Sequence, residues 1–163
     1  MTEASPRSLA VASADAMRDL GSWVGQRCRG GDVVVLTGEL GAGKTTFAQG
    51  VARGIGISEP VTSPTFVIAR VHLNDETGLD LVHVDAYRVG SVVELDDLDL
   101  EADLDRSVVV VEWGAGLAED LSQSRLEVAL ERSASAEDEE RTATLTAHGD
   151  HWVAILASAE WAW

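Results

Sequence analysis

Apolar residues in the first third of the chain form two helical patterns separated by a short strand-like run. The first helical pattern can be capped by Ser13 and stops at the glycine pair 30–31. Its apolar members are Met17, Leu20, Trp23, Val24 and Cys28. A β-branched run over residues 32–37 predicts a strand. The second helical pattern repeats every four residues at Phe47, Val51 and Ile55. The order is therefore helix, strand, glycine-rich loop, helix.

Two strand patterns in the middle of the chain predict a β-hairpin. Residues 66–72 and 79–85 are strand-like, and residues 74–78 between them have turn chemistry. Further on, residues 108–111 are four consecutive valines. This lack of alternation fits a strand that is covered on both faces in a parallel sheet.

The C-terminal part predicts a second hairpin and a closing helix. Residues 125–130 alternate, residues 142–146 are strand-like, and the polar stretch 133–140 predicts a mobile tip between them. Residues 151–163 are apolar and alanine-rich, which favours a helix. Its apolar side is expected to carry Trp152, Ile155, Leu156 and Ala159. The whole chain, residues 1–163, is expected to be one domain, because this length suits a single core.

The glycine-rich loop, residues 38–45, carries the clearest chemical signal. It reads GELGAGKT, a P-loop pattern, between a predicted strand and a predicted helix. In such a loop, backbone N–H groups and the following helix N-terminus surround anionic oxygens. Lys44 is expected to contact the β and γ phosphates, and Thr45 to give its hydroxyl to Mg²⁺. The expected nucleotide-binding residues here are Glu39, Leu40, Gly41, Ala42, Gly43, Lys44, Thr45 and Thr46.

The identity of Lys44 supports this interpretation. It is the only lysine of the chain, and every other Lys or Arg position is arginine. A compact ammonium on a flexible stem fits inside a tight loop, whereas a rigid guanidinium fork does not. Guanine specificity usually depends on an Asn-Lys-x-Asp loop. This chain cannot contain such a loop, because its single lysine lies in the glycine-rich loop. ATP is therefore the expected nucleotide.

Two carboxylates at predicted strand ends are candidates for magnesium binding and catalysis. Glu112 follows the valine run and is the better match to a Walker B carboxylate that holds Mg²⁺ directly or through water. Asp85 is the candidate for positioning the attacking water, with capping of a loop as its alternative. Lys44, Asp85 and Glu112 are thus the predicted catalytic residues, and His83 is expected to be structural.

A proline-containing segment and a tryptophan are candidates for a switch or a partner contact. Pro64 forces Ser63 out of the helical region, and Thr65 adds a hydroxyl to a segment that can report the γ-phosphate. The alternative for this segment is an ordinary turn that enters a strand. Trp113 is expected beside the nucleotide or a partner surface, or as a partly buried strand end.

The charge of the chain argues against direct RNA binding. Net charge is −16, from 28 acidic and 12 basic residues, and no basic patch is visible. Such a chain repels a polyphosphate backbone. The acidic segment 94–105 is either the solvated face of a helix or a docking surface for a basic partner. Short apolar runs and the absence of a signal-peptide pattern predict no membrane contact and a cytoplasmic location.

Four motifs in order resemble one known family. They are GELGAGKTT at 38–46, TSPTF at 62–66, HVDAYR at 83–88 and EW at 112–113. Together they look like the bacterial tRNA threonylcarbamoyladenosine biosynthesis ATPases, the TsaE family. The resemblance covers about residues 15–113.

The resemblance implies a fold, an activity and partners. The implied fold is a single-domain α/β P-loop NTPase fold, with a mixed, largely parallel sheet flanked by helices and with β-hairpin additions. The implied activity is binding of ATP and Mg²⁺ with weak hydrolysis, together with the TsaB–TsaD complex that modifies the tRNA adenosine next to the anticodon. It also implies that Thr45 and Glu112 hold Mg²⁺, that Asp85 is a functional carboxylate, and that Asp15 and Arg141 lie near the adenine. Contact with tRNA is expected of the partners, without strong binding by this chain.

Two other functions fit a glycine-rich loop of this kind. A small-molecule kinase needs an acceptor pocket and usually an arginine-rich lid, and no cluster of arginines appears in the sequence. A nucleotide-gated binding module would keep partner activation in variants that bind nucleotide but no longer hydrolyse it. Glu112→Ala and Asp85→Ala are the variants that separate this second function from an ATPase.

Overall fold

One sheet contains all seven strands of the described residues. The computed structural model describes residues 4–62, 69–86, 104–113, 121–135 and 138–158. The strands are β1 (Arg7–Val11), β2 (Val33–Gly38), β3 (Ala69–His72), β4 (Asp80–Asp85), β5 (Ser107–Glu112), β6 (Arg125–Arg132) and β7 (Arg141–His148). The α-helices are α1 (Ala14–Gly25), α2 (Lys44–Ile55) and α3 (Asp150–Ser158), and a 3₁₀ turn spans Leu104–Arg106. The strand order across the sheet is β1-β7-β6-β2-β5-β4-β3.

Pairing between the described strands is divided equally between parallel and antiparallel. Strand β2 pairs in parallel with β5 and β6, and β4 pairs in parallel with β5. The pairs β1–β7, β6–β7 and β3–β4 are antiparallel. The expectation of a mixed sheet is confirmed, but that of a largely parallel one is wrong. The two hairpins and β1 add antiparallel strands on both sides of a parallel centre.

The centre of the sheet is buried on both faces. Val34 of β2 and Val110 of β5 belong to the larger hydrophobic cluster, to which α1, α2 and α3 contribute. Val35 and Val111 belong to a smaller cluster on the other face. Because side chains alternate between faces along a strand, a strand covered on both sides needs a continuous apolar run. The prediction of a core strand at residues 108–111 is therefore confirmed.

Helix α1 begins where the sequence predicts and ends earlier. The Ser13 side chain accepts a hydrogen bond from the backbone N–H of Ala16 at 3.1 Å, so the predicted cap is confirmed. The helix ends at Gly25, and its expected extension to Cys28 is wrong. The chain tightens there, because the N–H of Cys28 bonds the carbonyl of Gly25, three residues back. Cys28 is nevertheless buried, so its apolar contact is made outside the helix.

Helices α1 and α2 pack against each other through glycines. The glycines at this contact are Gly21, Gly25, Gly50 and Gly54. A Cβ added at Gly50 would lie 2.2 Å from the carbonyl oxygen of Arg18, and the other three positions meet opposing backbone just as closely. No side chain fits between the two helices at these points, so their backbones are in direct contact.

Both predicted hairpins are confirmed, whereas one strand was not predicted. Strands β3 and β4 pair in register, and so do β6 and β7. Strand β1 is mostly exposed and therefore lacks a strong apolar pattern. It exists through pairing with β7, which is distant in sequence.

Several predicted features lie wholly or partly outside the described residues. These are the switch candidates Ser63, Pro64 and Thr65, residues 66–68 of the first predicted hairpin strand, most of the acidic segment, residues 136–137 of the predicted mobile tip, and the last five residues of the closing helix. The described part of that helix, α3, buries Trp152 and Leu156 as predicted. None of the helices in the described ranges combines the length and apolar character that crossing a bilayer requires.

Candidate functional site

The glycine-rich loop joins the end of β2 to the start of α2. Gly38, Gly41 and Gly43 all have positive φ angles, at 147°, 80° and 108°. This backbone conformation favours glycine and lets the loop turn tightly around the helix N-terminus. Gly43 is the N-cap residue of α2 and provides no side-chain hydrogen bond to the first turn. The positive end of the helix dipole is therefore available to an anion.

The ammonium of Lys44 lies inside the loop. Its Nζ donates to the carbonyl oxygens of Gly38 at 2.8 Å and Glu39 at 2.9 Å. It also lies 4.0 Å from the ring centroid of Trp113, which is a cation–π contact. Burial lowers the pKa of Lys44, and the negative charges of Glu112 and Asp85 oppose this shift. The lysine is thus held in place by groups that an anionic ligand can replace.

Glu112 connects α2 to the neighbouring strand β4. Its Oε1 accepts a hydrogen bond from Thr45 Oγ1 at 3.1 Å, and its Oε2 lies 2.5 Å from Nε2 of His83. This arrangement follows from the sheet, because β5 is parallel to both β2 and β4, and the carboxyl ends of the three strands meet at one edge. In the pairing of β4 with β5, Asp85 lies directly opposite Glu112.

A cavity of about 240 Å³ opens over the loop. It is lined by Leu40, Gly41, Gly43, Lys44, Thr45, Thr46, Asp85, Glu112 and Trp113. Trp113 has a φ of 62°, unusual for a bulky residue, and its N–H donates to the carbonyl of Leu36. This backbone bond holds the ring at the end of β5, beside the lysine.

A second, smaller cavity of about 130 Å³ lies on the other side of the loop, between the start of α1 and the β6–β7 hairpin. Arg141 contributes to its wall and also donates to the carbonyl of Gly41 at 3.4 Å. Ser13, Ala14 and Met17 line it from α1 and its cap.

The structure brings together most of the predicted site residues. The three predicted catalytic residues, both predicted metal ligands and Trp113 surround the larger cavity, and Arg141 reaches the loop from the hairpin. Asp15 does not line either cavity; its side chain is 94% exposed and pairs with Arg18 at 3.1 Å. Leu40 is an exposed apolar residue at the tip of the loop.

The oxygen atoms at the larger cavity fit a magnesium ion that binds together with phosphates. Thr45 and Glu112 offer a hydroxyl and a carboxylate oxygen 3.1 Å apart. Magnesium at nucleotide sites takes one or two carboxylates, and phosphates and waters complete its shell. Within the described ranges, no group of three or more His, Cys, Asp or Glu side chains is placed to hold a metal ion alone. A metal site built only from protein ligands does not fit these residues.

Comparison with known proteins identifies the family. The model of the family described as threonylcarbamoyl adenosine biosynthesis protein TsaE matches residues 11–143. The chain belongs to the TsaE family. The resemblance of the four sequence motifs to this family is thereby confirmed. The TsaE family acts in tRNA threonylcarbamoyladenosine biosynthesis.

Relatives in several bacteria share this similarity. The TsaE protein of Streptomyces coelicolor is 49% identical over 147 residues, which cover 86% of this chain and 99% of that protein. The TsaE protein of Bacillus subtilis is 44% identical over 123 residues, covering 75% of this chain and 73% of that one. The crystal structure of YdiB from Bacillus subtilis superposes with a TM-score of 0.74 at 32% identity, over 94% of this chain and 93% of YdiB.

One connection within the TsaE site was not predicted from the sequence. His83 was expected to be structural, yet it contacts the candidate metal ligand Glu112. A signal for this was present, because His83 and Asp85 are two residues apart on one strand and so share a face of the sheet. The sequence placed Asp85 at the site, and His83 therefore lies on the same face of the sheet as the site.

Proposed function

We propose that this TsaE family member is a P-loop ATPase that binds ATP with Mg²⁺ over the glycine-rich loop and hydrolyses it slowly by itself. By acting on the TsaB–TsaD complex in the cytoplasm, the protein supports threonylcarbamoylation of the tRNA adenosine next to the anticodon. The family supports the pathway, and the geometry of the site supports the chemistry.

A single observation carries the proposal. The hydroxyl of Thr45 and the carboxylate of Glu112 meet at 3.1 Å on the wall of the same cavity that the Lys44 side chain and the start of α2 line. A cation, a hydroxyl–carboxylate pair and a helix N-terminus in one cavity match the three needs of a magnesium–polyphosphate ligand. A loop with a purely structural role has no need for a cation, a hydroxyl–carboxylate pair and a helix N-terminus in one cavity.

Each residue has a role that follows from its position. Lys44 exchanges the carbonyls of Gly38 and Glu39 for phosphate oxygens, which keeps its ammonium paired. Thr45 and Glu112 would hold Mg²⁺, which when bound neutralises charge on the β and γ phosphates. Asp85, opposite Glu112, accepts a hydrogen bond from the attacking water and orients it.

We assign the nucleoside end of the ligand to the smaller cavity. Arg141 lies at its wall and touches the loop from the side opposite the magnesium residues. Asp15 stands on the first turn of α1, next to Ala14, which lines that cavity. We place the adenine within reach of the Asp15 side chain, and a lower ATP affinity of Asp15→Ala would support this placement.

The charge of the chain supports a division of labour with its partners. At a net charge of −16, the chain repels the phosphate backbone of tRNA. The proposal therefore gives tRNA contact to TsaB–TsaD and leaves this chain to act through protein contacts. A tight, salt-sensitive complex between the isolated chain and tRNA would contradict it.

The test is ATP hydrolysis by the purified chain with and without Mg²⁺, alone and with TsaB and TsaD. We expect slow hydrolysis alone, stimulation by the partners, and loss of both in Lys44→Ala. Arg53→Ala is the matched control, because Arg53 is another cation of α2 but pairs with Asp19 away from the loop. Phosphorylation of a metabolite instead of release of phosphate would favour a kinase, and partner activation without hydrolysis would favour a binding module.

A further inference from the structure

His83 is fully buried on β4, where its imidazole contacts Glu112. Its Nε2 lies 2.5 Å from Oε2 of Glu112, and neither side chain is more than 4% exposed. A carboxylate only accepts hydrogen bonds, so the imidazole donates from Nε2. Its Nδ1 is buried without a hydrogen-bond partner among the described residues. The contact with Glu112 is therefore the one hydrogen bond of this ring among the described residues.

This bond determines how Glu112 presents its two oxygens. The terminal torsion of a glutamate is soft, so an unrestrained carboxylate rotates. With Oε2 bonded to His83, the other oxygen, Oε1, is the one directed at Thr45. Lys44 is a second attraction for this carboxylate, since the two charges interact within the site. A carboxylate released from His83 is free to turn toward that ammonium.

We propose that His83 is a positioning residue, which holds Glu112 so that Oε1, together with the Thr45 hydroxyl, faces the cavity as a ligand for Mg²⁺. The inference rests on the proposed function, since it concerns the metal that accompanies the nucleotide. Mutation of a residue that orients a metal ligand through a hydrogen bond typically lowers metal affinity or activity by about 10- to 100-fold.

The chain contains a matched pair of the same chemistry outside the site. On β3, Nδ1 of the buried His72 lies 2.5 Å from Oε1 of Glu59, and its Nε2 is unpartnered among the described residues. Glu59 is 55% exposed, and neither residue lines the cavity over the loop. The pair therefore reports what the loss of a histidine–glutamate bond at a buried imidazole does to folding alone.

The experiment uses the geometry of the two ring nitrogens. Glutamine places an amide N–H near the position of Nε2, whereas the shorter asparagine places it near Nδ1. His83→Gln can therefore still donate to Glu112, and His83→Asn cannot. The readout is the binding affinity of a fluorescent AMP-PNP, measured with saturating Mg²⁺ and again with EDTA, and the ratio gives the affinity gained from magnesium. Thermal unfolding of each variant accompanies it.

We expect His83→Asn to lose about 10- to 100-fold of the magnesium gain, while binding in EDTA stays near wild type. His83→Gln should keep most of the gain. His72→Asn and His72→Gln should change neither quantity, even if they lower the melting temperature. Since Asn and Gln are both polar and of similar bulk, a general loss of packing affects both His83 variants alike.

The outcomes separate the inference from the proposed function. If the wild type itself gains no affinity from magnesium, both are overturned. If the wild type gains affinity and His83→Asn gains as much, or if His83→Gln fails as badly as His83→Asn, the positioning role is wrong while the ATPase proposal stands. An equal loss in the His72 variants also overturns the positioning role.

Discussion

Two buried carboxylates lie at opposite ends of the same parallel strands and have different surroundings. Asp32 precedes β2, is 2% exposed, and accepts from the backbone N–H of Arg29 at 2.7 Å and from Ser124 Oγ at 2.5 Å. Glu112 ends the adjacent strand β5, is 3% exposed, and contacts the side chains of Thr45 and His83. Burial alone does not distinguish the two carboxylates.

Their partners do distinguish them. Asp32 accepts a hydrogen bond from a backbone N–H, whose position the fold of the chain determines. At the same end of the sheet, the hydroxyl of Ser122 donates to the carbonyl of Gly31 and so connects two loops. Burial, and next the charge of Asp32, raises the pKa of the Cys28 thiol at this end of the sheet. Glu112 instead lines a cavity with Lys44. Asp32 is bonded to a backbone N–H and lines neither of the two cavities at the loop, which fits a carboxylate that stabilises the fold. Glu112 lines the cavity over the loop, which fits its proposed role in holding Mg²⁺.

The largest effect should come from Glu112→Ala. We expect hydrolysis with Mg²⁺ to fall by about 100-fold or more, because charge stabilisation at the transferred phosphate depends on the metal that Glu112 would hold. The free energy of unfolding should fall by only about 1 kcal/mol, since water in the cavity can replace the carboxylate. Initial rates and urea unfolding measure the two quantities. A collapse of stability with unchanged rates would reverse the assignment.

Asp32→Ala should show the opposite profile. Removing this carboxylate leaves a buried backbone N–H and a serine hydroxyl unpaired, so the free energy of unfolding should fall by about 3 kcal/mol. Hydrolysis measured well below the melting temperature should match the wild type. A specific loss of magnesium-dependent hydrolysis in a folded Asp32→Ala protein would break the comparison.

Ser124→Ala should have an intermediate effect at the same end. It removes one of the donors to Asp32 and keeps the backbone donor from Arg29. We expect a loss of about 1 kcal/mol in the free energy of unfolding, measured by urea titration, with no change in magnesium dependence. Ser8→Ala serves as the control, because Ser8 makes an exposed hydroxyl contact with Thr144. Equal losses in both variants would mean that the Asp32 bond adds nothing.

The smallest effect should come from His151→Ala. Its Nε2 donates to the carbonyl of Arg27 at 2.8 Å and lies 3.5 Å from Asp32, at a partly exposed position. We expect a loss of about 0.5 kcal/mol, visible as a slightly lower urea midpoint. His151→Gln, which retains a donor, should recover part of it. A loss as large as that in Asp32→Ala would make His151 the principal partner of that carboxylate.

The contrast between the two ends also shows what the sequence can predict. The loop, Lys44, Thr45 and the position of Glu112 at a strand end follow from local patterns, and the parallel pairing of β2 and β5 brings them together. The bond between His83 and Glu112 depends on the register of β4 against β5, which local patterns do not specify. For the same reason, strand β1 was not predicted and the sheet was expected to be largely parallel. The presence of β1 and the direction of each strand depend on pairing with distant segments.

The glycine contact between α1 and α2 determines a distance. Because backbone meets backbone there, no side-chain rotamer can lengthen or shorten the spacing between the two helices. Helix α2 begins at the loop, and the start of α1 lines the smaller cavity, where Met17 lies against Gly43. The helix pair thus fixes how far the start of α1 lies from the loop, and with it the width of the smaller cavity. A mutation such as Gly50→Ala would push the two helices apart and so widen that cavity, although Gly50 does not line it.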